Sequence, residues 1–212
     1  MKLQTGLIFG LAALVWPTCA QAQDLHNGFI WIEGPNEVLE SNTTYTLEVW
    51  GRMESPAFIT GDSAIAGFGI DIRNTAGADQ IASISNVQIA DWAAGFGTVG
   101  TILIIDLLNT SGGQLANLWG VLNPNIDLSN PIPLFTFDFT TANVPIENLE
   151  FTPMDPNVNG GLSFYPDIED GATIITPNDA ETSLTLTPWT YQIPAPGTLV
   201  PLVLLGVIGR RR

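Results

Sequence analysis

The sequence predicts an all-β protein, a single antiparallel β-sandwich or jelly roll, with a signal helix before it and a hydrophobic helix after it. Three observations carry this. Apolar and polar residues alternate with a period of two: Tyr45, Leu47 and Val49 against Thr44, Thr46 and Glu48, then Phe135, Phe137 and Phe139 against Thr136, Asp138 and Thr140. Clusters of Gly, Pro, Asn and Asp interrupt the chain about once every dozen residues, the rhythm of short strands joined by turns. No segment of the body carries Ala, Leu, Glu, Lys and Arg in the 3.6-residue period of a long helix.

Taken in order, residues 1–22 begin with Lys2, run through an apolar stretch over 7–15 and end at Ala20-Gln21-Ala22. A positive start, an apolar centre and a small-x-small end are the pattern that signal peptidase cuts, so Ala20 and Ala22 flag cleavage and Gln23 is expected to start the mature chain. The body, 23–192, is expected to hold about nine to eleven strands. They fall at 29–33, around Tyr45–Val49, at 65–72, 101–108 and 115–122, around Phe135–Phe139, and at 149–152, 162–165, 173–176 and 183–187. The run over 101–108 is almost wholly apolar and suits a strand buried on both faces. Residues 80–94 read equally as a short helix or a bent strand. Turn signals stand at Glu33-Gly34-Pro35-Asn36, Asn74-Thr75-Ala76-Gly77, Ser111-Gly112-Gly113, Asn123-Pro124-Asn125 and Asn159-Gly160-Gly161.

The last element, 193–212, places Pro194-Ala195-Pro196-Gly197 before an apolar stretch over 198–209 and ends in Arg210, Arg211 and Arg212. Twelve residues span about 18 Å as a helix against roughly 30 Å of bilayer hydrocarbon, so the stretch from Ile193 is the shortest that approaches a crossing. The arginines would hold its end on the cytoplasmic side. A Pro motif, a short apolar helix and a terminal arginine cluster resemble the PEP-CTERM sorting signal of Gram-negative bacteria. That resemblance implies export, transient retention in the inner membrane and cleavage near the Pro motif by an exosortase. Ala195 stands where the family carries Glu, and the Pro-Ala-Pro-Gly form resembles variants of planctomycete-like bacteria. In the body, Val49-Trp50 followed by Ala64-Ile65-Ala66-Gly67-Phe68-Gly69-Ile70-Asp71-Ile72 resembles the early strands of cohesin-like sandwiches. Gly112-Gly113-Gln114-Leu115 and Asn130-Pro131-Ile132-Pro133-Leu134-Phe135 are similar to PEP-CTERM proteins of planctomycetes. The likeness rests on apolar patterning and implies a secreted sandwich; no binding residue is carried across with it.

The charges say where such a protein works. Lys2 and the three terminal arginines lie outside 23–192, leaving Arg52 and Arg73 as the two basic residues of the body against all 21 acidic ones, a formal charge of −19. Nucleic acid and anionic lipid are thereby poor partners, since both demand clustered Lys and Arg. Cys19 leaves with the signal segment, which removes disulfides and thiolate chemistry from the mature chain. The single histidine, His26, falls near the mature N-terminus, where chains are usually loosely held, and no Gly-x-Ser-x-Gly, Walker or His-Glu-x-x-His motif occurs.

Carboxylate chemistry survives this elimination, because a glycosidase needs only two Asp or Glu residues. Asp71, Asp106 and Asp138 each interrupt an apolar strand and are the candidates of interest. For calcium, Asp155, Asn157 and Asn159 place oxygens at alternate positions before Gly160, with Asp167, Glu169 and Asp170 as further ligands, although Pro166 stands where an EF-hand loop needs Glu. For sugar stacking the candidates are Trp50, out of step with Val49, and Trp92, in an expected loop after Asp91. The reading favoured is an exported, envelope-sorted, non-catalytic surface or matrix protein associated with exopolysaccharide or biofilm. A carbohydrate-binding module and a carboxylate glycosidase are the alternatives.

Overall fold

Alternation becomes strand wherever one face finds a core. In the computed structural model, which describes residues 25–115, 126–155, 160–179 and 181–193, there are eleven strands. They are β1 (His26–Glu33), β2 (Thr44–Glu54), β3 (Ala64–Ala76), β4 (Ile81–Ile89), β5 (Thr101–Ile102), β6 (Leu107–Gly113), β7 (Ile132–Thr141), β8 (Asn148–Met154), β9 (Gly161–Tyr165), β10 (Thr182–Thr187) and β11 (Trp189–Gln192). One sheet has the order β10-β1-β2-β7-β4; the other runs β11-β8-β3-β6-β5, with β9 beside the first half of β3.

The inward residues of the two sheets interdigitate, as they do wherever two sheets pack face to face, with Leu47, Val49, Phe137 and Phe139 from the first meeting Ile70, Ile72, Leu149 and Phe151 from the second. Phe139 and Phe151 lie 5.3 Å apart between ring centroids, and Trp189 of β11 closes on both. Pairing is antiparallel except between β1 and β10, which run parallel from His26 opposite Thr182 to Trp31 opposite Thr187. Only Pro188 separates β10 from β11, so the chain changes sheet at a residue with no N–H to give to either ladder.

Three expectations are corrected, and the alternative left open at 80–94 is resolved. Residues 101–108 are not one buried strand: β5 and β6 form a hairpin, the Leu103 N–H donates to the Asp106 carbonyl at 2.8 Å, and Ile104 at the tip is 72% exposed. The Asp106 side chain turns back toward β3, accepting the Asn74 N–H at 3.0 Å and a hydrogen bond from Arg73 at 3.3 Å. Ser111-Gly112-Gly113 is not a turn but the end of β6, where an added Cβ on Gly112 would lie 2.8 Å from Phe68 and 2.9 Å from the Ala93 Cβ. These glycines permit close packing rather than reversal. Residues 80–94 resolve as a strand whose register shifts twice against β7, followed by a 3₁₀ turn at Ala94–Phe96. Residues 173–176 contribute only an isolated bridge between Ile175 and Phe164.

No helix among the described residues is long and apolar enough to cross a membrane. The signal segment with Ala20 and Ala22, all of the strand expected at 115–122 except Leu115, and the sorting motif Pro194, Ala195, Pro196, Gly197, Arg210, Arg211 and Arg212 lie outside the described residues.

Candidate functional site

On β1, Ile30 and Ile32 point into the core, so Phe29, Trp31 and Glu33 stand on the outer face of the five-stranded sheet. On β2 the same logic buries Leu47 and Val49 and turns Glu48, Trp50 and Arg52 outward. Antiparallel register then sets Phe29 opposite Arg52, Trp31 opposite Trp50 and Glu33 opposite Glu48. Trp50 faces outward as its alternation with Val49 predicts; its partner Trp31 comes from another strand.

The two indoles are 6.3 Å apart between centroids and 16° from parallel. That separation is well beyond face-to-face stacking, so the rings are offset and present adjoining faces instead of covering each other. Each indole N–H donates along its own strand, Trp31 Nε1 to Glu33 Oε1 at 2.8 Å and Trp50 Nε1 to Glu48 Oε2 at 3.3 Å, which ties both rings down against the sheet. A β-bulge lies beside them. Val49 pairs with Phe135 and Trp50 with Pro133, leaving Leu134 as the extra residue of β7, a device that bends a strand and redirects its neighbours.

The platform continues in both directions. At one end the Arg52 guanidinium lies 4.7 Å over the Phe29 ring and pairs with Glu54 at 2.7 Å. At the other a concavity of 470 Å³ is lined by Glu33, Glu37, Glu48, Tyr45 and the threonines Thr44 and Thr46. Hydroxyls and amides fill the rest of the face: Thr46 donates to Asp138 at 2.7 Å, and Asn86 donates to the other oxygen of Asp138 at 2.8 Å.

The remaining predicted residues have other surroundings. Trp92 is 3% exposed, its N–H given to the Pro133 carbonyl at 2.6 Å and its ring against Phe68. The loop expected after Asp91 is there, as a turn over residues 91–93, but it turns Trp92 into the core and leaves no face for a sugar in this structure. Asp71 and Asp106 are bridged by Arg73 at 3.3 Å each, and their second oxygens accept the backbone N–H groups of Asn109 and Asn74. The charge of Asp71 inside β3 and that of Asp106 in the β5–β6 hairpin are thus compensated by one of the two cations of the body.

Asp155 borders a separate cavity beside His26 and Thr182. Asp167 accepts the Glu169 N–H and Asp170 the Thr173 hydroxyl, contacts internal to their own loop. Among the described residues no group of three His, Cys, Asp or Glu gathers as a metal site, and Asn157 and Asn159 lie outside those residues. His26 is not loosely held: it opens β1, with Nδ1 2.7 Å from Ser55 Oγ and its ring edge-on to Phe164. Ser55 Oγ also accepts the Ala57 N–H, which makes it part of the turn after β2.

The six-stranded sheet has its own groove, 620 Å³, floored by Gly67, Gly69, Gly112 and Gly113 and rimmed by Phe96 and Ile174. Gln114 beneath it is 2% exposed and fully engaged, donating to the Ile65 and Asp127 carbonyls and accepting the Asp127 N–H.

Two facing sheets with this strand order define a cohesin-like β-sandwich. No protein-family model and no curated protein matches the chain. Among solved structures it is similar to the second type II cohesin module of the adaptor scaffoldin of Acetivibrio cellulolyticus, with a TM-score of 0.51 at 12% identity over 84% of this chain and 96% of that one. It is also similar to a cohesin module of a family 33 glycoside hydrolase from Clostridium perfringens, with a TM-score of 0.49 at 11% identity over 78% and 95%. At such identities the likeness is one of fold.

Proposed function

We propose that this protein is exported, sorted to the cell envelope through its C-terminal segment, and works at the surface or in the extracellular matrix as a non-catalytic sandwich that holds polysaccharide. The observation that carries the binding reading is the Trp31–Trp50 pair, two parallel, offset indoles held to a sheet face. Apolar faces of pyranose rings stack on such surfaces, and the threonine, asparagine and aspartate side chains around them supply hydrogen bonds to hydroxyls. A binding reading also suits Asp71 and Asp106, whose carboxylates are occupied by Arg73 and by backbone N–H groups. Export and sorting rest on 1–22 and 193–212, with signal peptidase and an exosortase as the processing partners.

The test is retention of the exported protein on the host's own exopolysaccharide, with calcium and with chelator, beside a Trp31→Ala/Trp50→Ala variant. Loss of the two ring faces is expected to weaken retention by at least about tenfold. Equal retention of variant and parent sinks the binding reading. Mass spectrometry that finds Arg212 still attached in the exported chain sinks C-terminal processing.

A further inference from the structure

Among the described residues, the carboxylates beside the tryptophans have no cation of their own. Glu33 and Glu48 are directly opposite on β1 and β2, an arrangement of like charges that costs stability, and Glu37 lines the same concavity. Both cations of residues 23–192 are committed elsewhere, Arg52 to Glu54 and Phe29, Arg73 to Asp71 and Asp106. Each of Glu33 and Glu48 accepts one indole N–H through one oxygen, and both residues are exposed. Glu33, Glu37 and Glu48 all line the concavity, and among the described residues no three such groups gather closely enough to hold one metal ion. The same face already shows the chemistry in miniature: two residues along the ladder from Trp31–Trp50, a guanidinium lies over an aromatic ring with a carboxylate beside it.

We propose that this face recognises a polysaccharide bearing primary amines, a polymer of partly N-deacetylated amino sugars, its rings stacked on Trp31 and Trp50 and its ammonium groups set against Glu33, Glu37 and Glu48. The proposal rests on the polysaccharide reading above and names its ligand class. Stacking supplies affinity for the ring, and charge complementarity selects the amine over the neutral sugar. The like-charge pair on β1 and β2 then has a purpose, since its repulsion is relieved when the ligand arrives.

The experiment measures depletion of the exported protein by chitosan, by its fully N-acetylated counterpart, and by polylysine, a polycation without sugar. The parent is compared with Glu33→Gln/Glu48→Gln and with Trp31→Ala/Trp50→Ala, each checked for folding by thermal melting. Chitosan is expected to bind about tenfold more tightly than the acetylated polymer, and to lose that advantage in about 1 M NaCl, where screening acts within about 3 Å. The glutamine variant is expected to lose the advantage while melting at the same or a higher temperature, a combination that a merely structural pair of glutamates would not produce. Equal binding of the two sugar polymers overturns the amine and leaves the tryptophan platform standing. Polylysine bound as well as chitosan, with the tryptophan variant unimpaired, overturns it as general adsorption of cations. Failure to bind any sugar polymer overturns the polysaccharide reading itself.

Discussion

Arg73 shows how much one side chain can decide in a lysine-free body. Its guanidinium holds Asp71, which is 7% exposed, and Asp106 together, and Asp106 in turn pins the Asn74 N–H and the hairpin beyond it. Replacing it by Met leaves two carboxylates facing each other, and Arg73→Met is expected to destabilise the fold by about 2–4 kcal/mol, a little below a fully buried pair because the arginine is partly exposed. Urea denaturation measures this; a loss under about 0.5 kcal/mol would show that the bridge does not matter. The cost of Asp71 was legible as a charge within an apolar strand and that of Asp106 as a charge within an apolar run, and their partner nearly so, since the body has only two cations from which to choose. For Trp50, its outward direction could be read from Val49. Trp92 could not be placed, because the Pro133 carbonyl that holds its N–H and the Phe68 ring beside it come from distant strands.

Among the elements, β6 and the hairpin before it depart furthest from their local signals. A Gly-Gly pair reads as a turn, and an unbroken apolar run reads as a buried strand. The structure reverses both, because Gly112 lies where Phe68 and Ala93 crowd the backbone, while Leu103 and Ile104 form a tip beyond the sheet edge. The two readings give opposite forecasts for mutants. Ile104→Thr is expected to change stability by no more than about 0.5 kcal/mol, whereas Gly112→Val is expected to cost more than about 2 kcal/mol through overlap with neighbours that cannot all move. Thermal or urea unfolding of the pair would reveal an inverted order at once. Elsewhere period-two patterning was enough: β2, β7, β8 and β9 occupy the residues where alternation placed them, with ends displaced by a few positions.

For the whole molecule, a formal charge of −19 over the body exerts a self-repulsion that folding concentrates. Added NaCl screens it, so the melting temperature is expected to rise between low salt and about 0.5 M, within which range the Debye length falls below about 8 Å. A melting temperature independent of salt would mean that the ion pairs of Arg52 and Arg73 offset as much as the repulsion costs. The same excess of carboxylates that disfavours nucleic acid and anionic membranes is the charge complement of the amine-bearing polymer proposed above.

Composition and periodicity, read without any structure, determined the all-β class, most of the strands and the shortage of catalytic residue types. All of these depend on neighbours within a few residues, and a linear chain displays them openly. Only the tertiary structure decided that Trp31 stands beside Trp50, that Glu33 faces Glu48 without a cation, that Trp92 is core, and that β10 lies parallel to β1. These depend on which strands pair and in what register, and a shift of one residue would turn every outward side chain of β1 or β2 inward. Pairing and register are set by the shared core of Phe, Ile and Leu residues drawn from both sheets, a condition that no single segment of the sequence contains.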